Sequence, residues 1–168
     1  MILIGFMGCG KTSVGIRLSY ALKRTMIDTD KWIEKQQNMT ISEIFASRGE
    51  AAFRQMETDC IRTLIEKENG RIISTGGGLP IKEENHKLLK QLGRVYYLKV
   101  TPETVYERLK EDTTRPLLQG EKPEQKIRDL LAYREPLYEA CADEVIEVSK
   151  KSFDEIIAEI EERERKRA

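Results

Sequence analysis

Residues 5–12 read Gly5-Phe6-Met7-Gly8-Cys9-Gly10-Lys11-Thr12, the spacing G-x-x-x-x-G-K-[ST], directly after the apolar tripeptide Ile2-Leu3-Ile4. Nothing else in the chain restricts its fold as strongly. A short buried strand must end, the backbone must wrap an anion with its own N–H groups, and a helix must begin. That helix is legible, because Val14, Leu18, Ala21 and Leu22 recur at i, i+4, i+7 and i+8. Gly8 and Gly10 remove Cβ atoms where the backbone comes close to phosphate oxygens. Lys11 then reaches the β- and γ-phosphates, and the Thr12 hydroxyl is placed to bind Mg²⁺. A glycine-rich turn could match the pattern by accident, but strand, loop and helix are all in register here. The chain handles a nucleoside triphosphate.

Bulk properties narrow the class further. At 168 residues the chain is expected to be one domain with a core that needs no staples. Lys plus Arg and Asp plus Glu both number 29, so no global field draws the chain to nucleic acid or an anionic membrane. Any anion binding must come from local clusters. Cys9, Cys60 and Cys141 are odd in number and lack a CxxC spacing, which reads as reduced thiols in a cytoplasmic protein. Cys9, inside the loop, reads as a small filler. No apolar run approaches a membrane span, and the first strand leaves no room for a signal peptide.

Short apolar runs alternate with helical periodicity along the chain. Thr25-Met26-Ile27 reads as a second strand ending in Asp28-Thr29-Asp30, and Thr40-Ile41-Ser42-Glu43 as a capping box that opens a helix broken by Gly49. A longer helix carries Phe53, Met56, Cys60 and Leu64 on one face. A third strand, Arg71-Ile72-Ile73-Ser74, runs into Thr75-Gly76-Gly77-Gly78, and a fourth is Val95-Tyr96-Tyr97-Leu98 after a helix over 82–92. Thr101-Pro102 caps another helix, and Ile127, Leu130 and Leu131 stripe the next. Glu144-Val145-Ile146-Glu147-Val148 is a fifth strand, and Ser152-Phe153-Asp154-Glu155 caps the last helix, whose Glu/Arg/Lys-rich end should fray. Residues 111–122 are polar and read as a mobile surface segment. The alternation predicts an α/β domain of three layers around a parallel sheet.

Ligands of open parallel sheets collect at the carboxyl ends of the strands, and three of these strands end in unusual chemistry. Asp28 and Asp30, two apart on an extended chain, would face the same way. Their like charges call for Mg²⁺ and a hydroxylic substrate to offset them, unless they merely cap the next helix. Gly76-Gly77-Gly78 implies positive φ or a ligand against bare backbone, and three in succession favours the ligand. Arg54 reads either as half of a surface ion pair with Glu50 and Glu57 or as a substrate cation. Arg134, on an apolar stripe, needs an anionic partner or a cleft to point into. Arg115 is a solvated charge or a cation carried onto phosphate by a closing lid. His86 reads as solvent-facing and Trp32 as packing at a helix start.

Taken together, these residues resemble shikimate kinase over essentially the whole chain. The likeness rests on the phosphate loop, Asp28-x-Asp30, Phe53-Arg54-x-x-Glu57, Ser74-Thr75-Gly76-Gly77-Gly78, Arg115-Pro116-Leu117-Leu118, and Arg134 followed by Pro136-Leu137-Tyr138. The resemblance implies a P-loop kinase fold, with five parallel strands in the order 2-3-1-4-5, a helical substrate-binding insert at 31–60 and a lid at 111–122. It implies phosphorylation of the 3-hydroxyl of shikimate by ATP, with Mg²⁺ held by Thr12 and Asp28. ATP would be bound by Gly8, Cys9, Gly10, Lys11, Thr12, Ser13, Arg108 and Arg115, with Arg108 against the adenine. Asp30, Arg54, Gly76, Gly77, Gly78 and Arg134 would bind shikimate. Lys11, Asp30 and Arg115 would carry the chemistry.

Two departures from the family pattern stand out. Met26 occupies a position that is often Phe, and Ser149-Lys150-Lys151-Ser152 lacks a proline found near the adenine in some members. The expected assembly is a monomer in the cytoplasm, with no nucleic-acid or membrane partner. The rival readings are a gluconate or nucleoside monophosphate kinase of the same fold and a nucleotide-binding regulatory module. A guanine-nucleotide switch would need Asn-Lys-x-Asp and Asp-x-x-Gly, and neither occurs.

Overall fold

The computed structural model describes residues 1–67, 70–114 and 119–167. Its strands are β1 Ile2–Ile4, β2 Met26–Asp28, β3 Ile72–Ser74, β4 Val95–Lys99 and β5 Glu144–Glu147. They form one sheet in the order β2-β3-β1-β4-β5, with every neighbouring pair parallel. This is the order expected from the sequence. β1 is central because its three apolar residues can be buried on both faces, and all three are fully buried. It pairs through Ile2↔Ile73 and Leu3↔Ser74 on one side and Ile2↔Val95 and Ile4↔Tyr97 on the other. β2, β3 and β1 are thus adjacent and codirectional, so their carboxyl ends lie side by side.

The helices are α1 Lys11–Ala21, α2 Thr29–Gln37, α3 Ile41–Lys67, α4 Glu83–Leu92, α5 Pro102–Leu109, α6 Pro123–Cys141 and α7 Phe153–Arg165. α1 packs on α7, while α3, α4, α6 and α5 pack in sequence on one another. Local chemistry sets their limits. Thr40 and Glu43 bond each other's backbone N–H at 3.2 and 2.7 Å. Ser152 and Glu155 form a second capping box, and Thr101 caps α5 with Pro102 behind it. Gly49 (φ 82°, ψ 171°) kinks α3 where the sequence calls for a break. Met26 packs on Gly15, where a Cβ would come within 2.9 Å of its Cε, so the departure at this position is absorbed by α1.

Four expectations need correction. Ala21 is exposed, so the buried face of α1 is Val14, Gly15 and Leu18. The end of α7 is fastened rather than frayed. Tyr96 Oη donates to Glu164 Oε1 at 2.6 Å, and Arg163 bridges Glu144 and Glu159 at 2.5 and 2.6 Å. His86 is half-buried and donates through Nε2 to the Pro80 carbonyl at 2.6 Å. Asp30 does not extend β2 but lies in the first turn of α2. Within the segment 111–122, Arg115, Pro116, Leu117 and Leu118 lie outside the described residues. The flanking turns are joined by a bond from Gln119 Nε2 to the Thr113 carbonyl at 3.0 Å.

The loop leaving β3 is anchored from below by a buried side chain. Asn85 on α4 donates to the Leu79 carbonyl at 2.9 Å and accepts from Thr58 on α3 at 2.9 Å. Asn85→Ala should therefore cost about 2 kcal/mol, because a buried carbonyl and a hydroxyl lose a partner. The expected result is a lower urea midpoint with an unchanged m-value. An unchanged midpoint would mean that water replaces the amide without loss.

Candidate active site

Three loops meet at the carboxyl edge of β1, β2 and β3. The first leaves β1 and enters α1 through Gly10, which has a left-handed backbone (φ 97°) and gives no side-chain cap. The opening N–H groups of α1 are therefore available to an anion. Gly8 is also left-handed (φ 75°). Lys11 Nζ donates to the Gly5 and Phe6 carbonyls at 2.7 and 3.0 Å, folding back along the loop. Cys9 is buried, its Sγ lies 3.6 Å from Lys11 Nζ, and its N–H donates to the Phe6 carbonyl. It is the inward filler anticipated from the sequence. Thr12 and Ser13 are exposed on the first turn. Arg108, from α5, donates to the Gly8 carbonyl at 2.8 Å and so braces the loop.

Of the two readings of the aspartate pair, the capping one holds for Asp28. Asp28 ends β2 and is the N-cap of α2, with Oδ1 accepting from Lys31 N–H at 3.1 Å. Its other oxygen accepts from Thr12 Oγ1 at 3.4 Å, across the gap between the first two loops. Asp30 points the opposite way. Its Oδ1 is buried without a hydrogen-bond partner, facing Gly76. Burial, and then the nearby Asp28 charge, raise the Asp30 carboxyl above its ordinary value, against the pull of Lys11 and Arg54.

The glycine triplet has a reason different from a turn. None of its residues has positive φ. A Cβ at Gly76 would lie 2.5 Å from Asp30 Oδ1, and one at Gly78 would collide with the Arg54 guanidinium. A Cβ at Gly77 would lie 3.5, 3.6 and 3.8 Å from the Gly5 carbonyl oxygen, Met7 N and Arg134 Nη1. Three successive backbone positions thus receive Asp30, Arg134 and Arg54. The space assigned in the sequence to a ligand is occupied at both ends by the chain's own charged groups.

Arg54 does pair with Glu50 and Glu57, at 3.3 and 2.7 Å, but it is not a surface residue. Its side chain is 16% exposed and that of Glu57 1%. Burial works against the guanidinium, yet the two glutamates hold its pKa above the ordinary value. Glu57 is pushed up to about 7, because burial outweighs the help of Arg54. Its free oxygen, Oε1, has no partner. Arg134 sits with its guanidinium carbon 5.8 Å from the centre of the Phe6 ring, and its Nε is buried and unpartnered.

The structure therefore gathers Lys11, Thr12, Asp28, Asp30, Arg54 and Arg134 around Gly76, Gly77 and Gly78. Arg115 lies outside the described residues. Glu57, Thr29 and Tyr138 join the site without having been singled out for a role. Thr29 accepts from Gly76 N–H at 3.0 Å, and Tyr138 donates to the Gly77 carbonyl at 2.6 Å. Glu57 and Tyr138 were visible in the sequence as members of Phe53-Arg54-x-x-Glu57 and of the run after Arg134, but neither pattern tells that the side chain is buried.

A family model for shikimate kinase matches residues 7–164. The shikimate kinase of Thermodesulfovibrio yellowstonii is 43% identical over 160 residues, covering 95% of this chain and 91% of that one. That of Dictyoglomus turgidum is 41% identical, covering 95% and 94%. Among solved structures, shikimate kinase from Acinetobacter baumannii in complex with shikimate superposes with a TM-score of 0.90 at 38% identity, covering 99% of this chain and 92% of that one. A deoxyadenosine kinase from M. mycoides (TM-score 0.62, covering 98% and 100%) and a gluconokinase from Sinorhizobium meliloti (0.53, covering 94% and 86%) share the fold alone, each at 14% identity. A match over nearly the whole length, with relatives above 40% identity, shows that the chain belongs to the shikimate kinase family.

Proposed function

We propose that this protein transfers the γ-phosphoryl group of ATP to the 3-hydroxyl of shikimate, giving 3-phosphoshikimate and ADP. The carrying observation is the meeting of two chemistries at the glycine triplet. A phosphate loop with Lys11 lies on one side, and a carboxylate, Asp30, flanked by Arg54 and Arg134 lies on the other. The acid group and hydroxyls of shikimate match that second half. Arg54 and Arg134 receive the planar carboxylate through charge-assisted bonds. Asp30 receives the hydroxyl and takes its proton late, which its raised pKa favours.

Phosphoryl transfer depends on positioning and charge neutralisation more than on covalent chemistry. Lys11 lies at the phosphates, and the N–H groups of Gly10, Lys11 and Thr12 wrap them. Ser13 follows on the same turn, and the family resemblance assigns Arg108, here bonded to the Gly8 carbonyl, to the adenine and Arg115 to the phosphates. Kinases use ATP with a divalent metal, and in our reading it is Mg²⁺. The exposed hard oxygens of Thr12 and Asp28, 3.4 Å apart, suit a cation that keeps several waters. When bound, it neutralises charge on the β- and γ-phosphates. Among the described residues no helix is long and apolar enough to cross a membrane. The cytoplasm, where thiols stay reduced, suits the three free and buried cysteines.

Coupled ADP-release assays with shikimate, gluconate and nucleoside monophosphates test the reading, and saturation by shikimate alone is expected. Asp30→Asn should leave ATP binding nearly intact and cut turnover at least ~100-fold; full activity would remove Asp30 from the mechanism. Arg134→Lys should chiefly raise the KM for shikimate, because the fork geometry is lost. An unchanged KM would make Arg134 a packing residue.

Glu57 adds a pH dependence. Its folded pKa of about 7 lies above the ordinary carboxyl value of 4.5, so the folded protein holds a proton that the unfolded chain releases. The resulting stability is complete below about pH 4.5 and is lost as pH rises through about 7. Glu57→Gln should flatten this part of the stability profile in chemical denaturation between pH 5 and 8. An identical slope in the variant would show that Glu57 is ionised throughout.

A further inference from the structure

Tyr138 lies on α6 one turn beyond Arg134, and no role in binding or transfer has been given to it. It is fully buried, and its ring packs on Tyr97 of β4 with centroids 5.2 Å apart. Packing alone would be met by phenylalanine. The hydroxyl, however, reaches out of the core and donates to the Gly77 carbonyl at 2.6 Å. Gly77 is the middle of the triplet, and the space a Cβ would fill there is bounded by the Gly5 carbonyl and Met7 N of the phosphate loop and Nη1 of Arg134. The neighbouring Tyr97 gives the comparison. Its hydroxyl is equally buried, belongs to the same aromatic pair and has no hydrogen-bond partner.

We infer that Tyr138 is a positioning residue. Its phenol ties the carbonyl of Gly77 to α6, and so fixes the distance between the glycine loop and Arg134 at which the substrate carboxylate is received. This rests on the shikimate kinase reading given above. Two parts must otherwise keep register unaided: a loop of bare backbone, and a long guanidinium side chain whose Nε is buried without a hydrogen-bond partner. The phenol's bond fixes the loop against the helix that carries Arg134, and the Arg134 side chain itself interacts with that phenol. Burial pushes the phenol up to about 12, with the Arg134 charge acting against that shift, so the group stays a donor at physiological pH. The effect should appear in substrate binding, because Tyr138 acts through Gly77 and Arg134 and touches neither the phosphate loop lysine nor Asp30.

The test compares Tyr138→Phe with Tyr97→Phe, each losing one buried hydroxyl from the same ring pair. Tyr138→Phe should raise the KM for shikimate about tenfold, the equivalent of one lost buried hydrogen bond. Its kcat and its KM for ATP should stay within about twofold of wild type, which also certifies that the variant is folded. Tyr97→Phe should change none of the three. A Tyr138→Phe protein that melts at lower temperature but keeps the wild-type KM for shikimate would overturn the inference, as would equal rises in both KM values. Wild-type protein inert toward shikimate would instead overturn the reading of function, and the two failures are read from different samples.

Discussion

The arrangement depends on backbone that carries no side chains at three consecutive positions. At the end of β3, Asp30, Arg134 and Arg54 each approach a different glycine, and at Gly76 and Gly78 a single methyl group would occupy the same space as a charged atom. The usual motive for glycine, positive φ, is absent from all three. Close approach is the motive instead. It lets an acid from α2, a guanidinium from α3 and another from α6 converge from three directions on a patch only a few residues long. Without it these groups would be held apart by the width of a side chain. Neighbouring strands make the convergence happen, since β2, β3 and β1 end side by side.

Much of this was readable before any coordinates. The phosphate loop fixes β1 and α1, and the capping signals at Thr40, Thr101 and Ser152 fix helix starts because the side-chain bonds involved are local. The sheet order came from a resemblance and not from periodicity, because strand order is a tertiary property. The failures share one cause. Asp30 was placed on an extended strand, and His86 and the last helix end in solvent, all from sequence neighbours alone. Burial of Glu57 beneath Arg54, and the bond from Tyr96 to Glu164 across 68 residues, depend on packing between elements remote in sequence. No local pattern encodes that.

Charge distribution follows the same geometry. The formal net charge is zero, and Lys90, Arg94, Arg163 and Lys166 line one open groove together with Asp143 and Glu144, which pair with the first three. That groove lies where α4 and α7 end, at the edge of the sheet remote from the phosphate loop. Parallel α/β topology sends helix carboxyl termini to that edge, and cations there offset the negative ends of the helix dipoles. Helix amino termini gather at the opposite edge, so the topology supplies positive potential at the nucleotide loop before any lysine is added. The few cations at the site are therefore free for selective tasks.

Unsatisfied atoms mark what those tasks are. Asp30 Oδ1, Glu57 Oε1 and Arg134 Nε are buried and lack hydrogen-bond partners, and all three belong to the group around the glycine triplet. Natural interiors contain few such atoms, since each carries a desolvation cost of about 1–3 kcal/mol. Two acceptors and one donor, fixed before a substrate arrives, favour a molecule that presents both hydroxyl protons and an anion. In the proposed reading, a compound of the same shape without the hydroxyl leaves Asp30 as poorly partnered as before, and one without the acid does the same to Arg134. Discrimination then arises from what an incorrect ligand fails to satisfy, which is a stronger filter than the size of an apolar pocket. The cost of holding these groups unpaired is met by the buried strands beneath them.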